Sequence, residues 1–251
     1  VDRNRIFSPF SSPDYFDDED EKYATYHKIP QDWEVNWGDG QTTNSTTHQY
    51  KLEGTYQVTI KGTGITSIWL DESCEDTVEE IDVTKAPNLV ILGVLYQNLK
   101  TLDLSKNTAL KFLECDYNEL NSLDLSKNVA LESLDCSVNN LTSLDLSKNI
   151  ALEFLECEVN NLTSLNVEKN TKLKSLRFDV NTISTLNLSK NTELTRLGCA
   201  KNPFTQESIN NLLNSLPMGK YNNGKPISIL WIDDKWDVSI AEEKGWEIHT
   251  Y

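Results

Sequence analysis

Six carboxylates, Glu114, Asp116, Asp135, Glu156, Glu158 and Asp179, recur at spacings of 21 and 42 residues. Acids brought side by side can act as the acid and base of a glycosidase, hold a divalent cation such as calcium across their ladder, or form part of a recognition surface. Glycosidase chemistry needs a cleft that buries one acid enough to raise its pKa, and nothing in the pattern supplies one. Other catalytic groups are sparse. The three histidines are His27, His48 and His249, and no glycine-rich phosphate loop or cluster with metal-ligand spacing accompanies them. Asp39 and His48 place an acid and a base in neighbouring segments, but without a nucleophile. An Asp in a glycine-flanked turn commonly bonds its own backbone, so both are expected to be structural. The chain is therefore expected to be non-catalytic, with no cofactor and no metal site.

The acids owe their spacing to an internal repeat. LDLSKN begins at Leu102, Leu123 and Leu144, and returns as LNVEKN at Leu165 and LNLSK at Leu186, a period of 21 residues. Between these copies run LKFLECDYN from Leu110, LESLDCSVN from Leu131, LEFLECEVN from Leu152, LKSLRFDVN from Leu173 and LTRLGCAKN from Leu194. Each coil reads LxxLxCxxN followed by LxxLxLxxN. Degraded copies at Leu89 (LVILGVLYQ) and Ile65 (ITSIWLDES), the second followed by an insertion at Cys74 to Asp76, bring the total to about seven coils. One such coil cannot bury its leucines alone, so neighbours must stack on it.

Alternation in LxC turns Leu and Cys inward and the flanking residues outward, giving one short strand per coil in a parallel sheet. Cys115, Cys136, Cys157 and Cys199 then form an interior column of free thiols, with Phe178 in one coil in their place. Asn118, Asn139, Asn160, Asn181 and Asn202 fall where the chain leaves the strand, and their amides are expected to satisfy backbone groups of that turn. The central outward column runs Trp69, Gly93, Glu114, Asp135, Glu156, Arg177, Gly198, and the column two residues on runs Asp71, Leu95, Asp116, Ser137, Glu158, Asp179, Ala200. Stacked carboxylates about 4.8 Å apart repel one another, so folding gains nothing from them. Phe112 and Phe154 flank the acids on one side, and Tyr96, Tyr117, Val138, Val159 and Val180 on the other. Lysines of the SKN turns lie on a different face.

These repeats resemble the leucine-rich repeats of Bacteroidota surface proteins over residues 65–203. The resemblance implies a right-handed β superhelix whose concave face carries a ligand, display outside the cell or on the outer membrane, and a role in adhesion or in protein or glycan recognition. On that reading Trp69, Tyr96, Phe112, Glu114, Asp116, Tyr117, Asp135, Phe154, Glu156, Glu158, Arg177 and Asp179 are the candidate ligand-binding residues. An architectural spacer without a ligand is the alternative. Before the repeats, residues 23–64 contain WEVNWGDG, HQY and GTYQVTI, which resemble a small PKD-like β module and are expected to cap the solenoid, with a strand in TYQVTI. Residues 1–22 include the acidic run Asp14 to Lys22, a solvated segment or a weak calcium site.

After the repeats, residues 204–251 are expected to form an α/β cap. Its parts are a helix at Thr205 to Pro217 capped by Thr205, a strand at Ile227 to Asp233, a short helix ending at Gly245 and a last strand in WEIHTY, with Trp231, Trp236 and Trp246 closing the core. The formal charge of −16, from 39 acidic and 23 basic residues, disfavours nucleic acid and anionic lipid as partners. No run approaches the length of a membrane span. A monomer that binds a protein or glycan, with its signal segment outside this chain, is the expectation.

Overall fold

The computed structural model describes residues 6–7, 32–45, 48–49, 54–62, 64–70, 78–222 and 225–250. The acidic run Asp14 to Lys22, Tyr50, Asp71 and the insertion at Cys74 to Asp76 lie outside the described residues.

The main body is a nine-stranded parallel sheet. Seven of its strands are the repeat strands β6 (Ser67–Leu70), β7 (Ile91–Val94), β8 (Phe112–Glu114), β9 (Ser133–Asp135), β10 (Phe154–Glu156), β11 (Ser175–Arg177) and β12 (Arg196–Gly198). Equivalent residues pair directly: Leu113 opposite Leu134, then Leu155, Leu176 and Leu197. The inward leucines impose this register, because a slip of one residue would turn every one of them to solvent. These leucines and the four ladder cysteines are at most 1% exposed. Each thiol lies against the backbone carbonyl of the next strand, as from Cys115 Sγ to Asp135 O at 3.5 Å.

Two asparagine ladders hold the coils together. Asn139 Nδ2 donates to the carbonyls of Cys136 and Ser137 in its own coil and of Cys115 in the coil before, while its Oδ1 accepts from Leu120 N. Asn118, Asn160, Asn181 and Asn202 repeat the arrangement. The second ladder, Asn107, Asn128, Asn149, Asn170 and Asn191, is fully buried. Its side chains bridge to the preceding coil, as from Asn149 Nδ2 to Leu125 O and Asn128 O. The D-x-S portion of LDLSKN closes by side-chain turns such as Ser147 N to Asp145 Oδ1 at 2.9 Å. Hydrogen bonds from the Ser147 backbone and hydroxyl hold the Asp145 carboxyl below its ordinary range.

At the N-terminal end, β2 (Trp33–Asn36) pairs antiparallel with β3 (Thr42–Thr43) and β5 (Thr59–Gly62). Val35 and Trp37 of this unit are fully buried and join the hydrophobic core of the solenoid. The strand expected in TYQVTI begins only at Thr59. Its partner β2 ends at Asn36, which pairs with Thr59, and beyond it the chain enters the Gly38–Gly40 turn with φ of 79° and 91° at the two glycines. A further antiparallel pair joins β1 (Ile6–Phe7) to β4 (His48–Gln49).

At the other end, α1 (Gln206–Ser215) starts at a capping box between Thr205 and Ser208 and buries Ile209, Leu212 and Leu213. After the short pair β13 (Tyr221–Asn222) and β14 (Lys225–Pro226), β15 (Ile229–Ile232) joins β12 in parallel, α2 (Ser239–Glu243) follows, and β16 (Glu247–Thr250) joins β15. The C-terminal segment thus extends the repeat sheet instead of packing across its end. Trp246 closes the core, donating from Nε1 to Pro217 O at 2.9 Å, and Trp236 packs partly against it. Trp231 does not. Leu230 and Ile232 point inward, so strand alternation turns Trp231 to the outer face.

Candidate functional site

The outer face of the sheet is organised by its register. Across eight strands the central column reads Trp69, Gly93, Glu114, Asp135, Glu156, Arg177, Gly198, Trp231. Three acids and one arginine are flanked at each end by a glycine and then a tryptophan. A Cβ at Gly93 would collide with the Trp69 ring, so the indole lies across β7 where only glycine leaves room. Trp69 and Phe112 are each 4% exposed and pack with Ile91 in a small separate apolar cluster. Of the residues expected on the recognition surface, these two rings are therefore covered by their surroundings. Phe154 is half-buried between Ser133 and Ser175 in the neighbouring strands.

Arg177 gathers the acids at one end. Its guanidinium reaches Glu158 Oε1 at 2.6 Å, Asp179 Oδ2 at 3.9 Å and Glu156 Oε2 at 4.0 Å, and it lies 5.8 Å from the Trp231 ring centre. Asp179 Oδ1 also accepts from Ala200 N at 2.8 Å. Burial, and then a hydrogen bond shared with Asp179, push the Glu158 carboxyl up to about 8 against the opposing pull of Arg177.

At the other end, among the described residues, no basic side chain lies within ion-pair distance of Asp116 or Asp135. Asp135 Oδ1 accepts from Ser137 N at 2.8 Å, and burial raises its pKa. Asp116 is 7% exposed, and its Oδ1 has no hydrogen-bond partner among the described residues. Burial and the neighbouring Asp135 push Asp116 up to about 7. Glu156 is raised by burial and then by Asp135.

The residues three positions before the acids, just outside the strands, behave differently. There Lys111 pairs with Glu132 at 2.9 Å and Lys174 with Glu153 at 2.7 Å, so that opposite charges meet across adjacent coils. Those residues pair opposite charges across two coil boundaries, whereas Glu114, Asp135 and Glu156 stack one sign on three adjacent strands.

Along the rim, Tyr96, Tyr117, Val138, Val159, Val180 and Lys201 all have φ between 50° and 55°. Left-handed backbone is unusual for tyrosine and a marked outlier for valine. The cause lies one residue on. Each ladder asparagine bonds the carbonyls two and three residues before it, and that tight ring turns the intervening residue left-handed. The rim side chains stay open to solvent, Tyr96 at 43% and Tyr117 at 45% exposure, and these two rings stack at 4.1 Å. The sequence signal of this backbone is its place immediately before the asparagines, or at Tyr96 before Gln97, whose Nε2 donates to Leu95 O.

Asp39 and His48 do come together, at 2.9 Å. The imidazole stacks on Trp37 with 4.7 Å between ring centres, and Asp39 also accepts from Gln41 N. The pair pins the WGDG turn. Among the described residues no group of His, Cys, Asp and Glu is arranged to hold a metal ion, and no helix is long and apolar enough to cross a membrane.

Parallel strands at a 21-residue period, inward leucines and asparagine ladders define a leucine-rich-repeat solenoid. Among solved structures the chain is similar to the functional domain of InlJ from Listeria monocytogenes, described as including a cysteine ladder. That similarity has 31% identity and a TM-score of 0.56, over 66% of this chain and 36% of the other. Further matches are internalin C2 from Listeria monocytogenes (20% identity, TM-score 0.44, 59% of this chain and 77% of the other) and a leucine-rich-repeat protein of Leptospira interrogans (17%, 0.49, 69% and 52%). The chain thus spans about a third of the length of the InlJ structure it matches. No protein-family model matches the chain, and no curated protein does.

Proposed function

We propose that this chain is a non-catalytic recognition module, displayed outside the cell, that binds a protein or glycan on the outer face of its repeat sheet. One observation carries the reading. Glu114, Asp135 and Glu156 stand on adjacent strands, and burial raises the pKa of Asp116, Asp135 and Glu156, while Lys111 and Glu132, and Lys174 and Glu153, three positions before, pair their charges. An arrangement that costs folding free energy and is confined to one face is explained by what that face contacts. The exposed tyrosines of the rim supply flat apolar anchors beside the charge. Extracellular display rests on the resemblance of the repeats to surface proteins, and protease shaving of intact cells tests it.

The binding reading is tested by screening extracellular-matrix proteins, mucins and glycans against the native chain and a Glu114→Lys, Asp135→Lys, Glu156→Lys variant. Binding that disappears in the variant, with its circular dichroism unchanged, is the expected result. Equal binding by both proteins refutes the assignment of the face. No binding by either favours a spacer solenoid.

A further inference from the structure

We propose that Glu114, Asp116 and Asp135 form a receiving site for a guanidinium group presented by a basic segment of a protein partner, in the place that Arg177 fills two coils further on. The proposal rests on the reading of this face as a recognition surface and names the chemistry of one subsite within it.

The argument is the repeat itself. Glu156, Glu158, Arg177 and Asp179 stand 42 residues after Glu114, Asp116, Asp135 and Ser137, which is two coils. The register is continuous across both sets, so the two frames have the same backbone geometry. In the later frame a guanidinium lies within 4.0 Å of three carboxylates. In the earlier frame the arginine position carries Asp135, a third acid. Among the described residues no basic side chain lies within ion-pair distance of Asp116 or Asp135, whereas Arg177 has three such partners.

Asp116 supplies an independent observation. It is 93% buried, from its 7% exposure, it interacts with Asp135 across the frame, and its Oδ1 has no hydrogen-bond partner among the described residues. A buried carboxylate oxygen without a donor is costly, and its complement is a cationic donor that can turn it outward and pair with it. The stacked and exposed Tyr96 and Tyr117 border the same strand ends and offer ring faces to a planar cation. A guanidinium fits better than a metal ion. Its N–H groups spread to reach carboxylates on separate strands, as Arg177 does, whereas the described acids do not converge on a single metal position.

The test uses fluorescence anisotropy with a labelled peptide of alternating glycine and arginine. The same peptide with citrulline, the neutral isostere of arginine, is the control. Three proteins are compared with the native chain: Asp135→Arg, which places a guanidinium at the position equivalent to Arg177; Glu114→Gln with Asp116→Asn, which keeps shape and removes charge; and Asp124→Asn with Asp145→Asn, which removes equal charge from the turns on another face. The expected result is arginine-peptide binding that citrulline abolishes, about tenfold weaker in the first two variants and unchanged in the third, the loss of about one charge-assisted pair. Equal weakening in all three variants, or no binding to the native chain, overturns the proposal. So does calcium that raises the melting temperature of the native chain but not of the Glu114→Gln, Asp116→Asn protein, because the frame is then a metal site. If a ligand from the screen is lost in the triple lysine variant yet kept by Asp135→Arg and by the neutral pair, the face binds but this subsite is wrong.

Discussion

Replacing Asp116 by asparagine should stabilise the protein at alkaline and neutral pH and leave it unchanged in mild acid. The carboxyl is 7% exposed and its pKa rises from 3.8 to about 7 on folding, chiefly through burial and then through Asp135. Between those two values the folded state binds more protons than the unfolded state, so stability falls as pH rises through this window and levels off above it. At 1.36 kcal/mol per pKa unit the shift amounts to a ceiling of roughly 4 kcal/mol. For a chain of this size that corresponds to a change in melting temperature on the order of 10 °C. Melting followed by circular dichroism from pH 4.5 to 8.5 at constant ionic strength should show the native protein losing stability across the range. Asp116→Asn should melt with the native protein at the acid end and several degrees above it at pH 8. Glu158, pushed up to about 8, leaves the variant a residual slope of the same sign. Asp145→Asn is the control for net charge. It removes the same charge, but its carboxyl is held below 3.8 by Ser147, so it contributes stability above that value, and its loss should lower the melting temperature at neutral pH. A native melting temperature that stays flat or rises from pH 5 to pH 8, or an Asp116→Asn protein with the native slope, would refute the reasoning.

Three further outcomes follow from the ladders. Val159→Asn places a residue tolerant of left-handed backbone at φ 50° on an exposed rim position, and should raise stability by about 1 kcal/mol in urea denaturation; a loss would show that the rim valine packs better than its exposure implies. Asn149→Ala leaves the Leu125 and Asn128 carbonyls without their buried donor, and should cost about 3 kcal/mol in the same assay, with a cost under 1 kcal/mol counting against the ladder. Burial pushes the thiols of Cys115, Cys136, Cys157 and Cys199 up, so iodoacetamide labelling mapped by peptide mass spectrometry should reach them only after unfolding, and labelling under native conditions at the rate of free cysteine would contradict it.

What could be read from the sequence is whatever the period controls. A strict interval between inward leucines leaves a single register, so the strand positions, the outward columns and the place of the asparagines all follow from counting. What escaped depends on how far a side chain reaches. Trp69 and Phe112 alternate outward as counted, yet Gly93 leaves a gap into which the Trp69 indole folds, and both rings are buried. Trp231 looks like a core residue by its size, but it lies between two inward residues and faces Arg177. The left-handed rim is hidden because its residues include valine, among the least suited to that conformation. The asparagine side chains impose it.

The same distinction bears on the acid face. Interior positions are nearly invariant from coil to coil, because each leucine, thiol and asparagine answers to the coil above and below. The outward positions answer to no such demand, and where stability alone acts on them the result is pairing across coils, Lys111 with Glu132 and Lys174 with Glu153. Three residues further along, the chain instead stacks Glu114, Asp135 and Glu156, and sets Arg177 in one frame where the counterpart position carries Asp135. Coils that are interchangeable as scaffold differ here by a reversal of charge at one position, Asp135 against Arg177. The scaffold accepts either residue, so the choice of Asp135 has to be explained by something the scaffold does not contain.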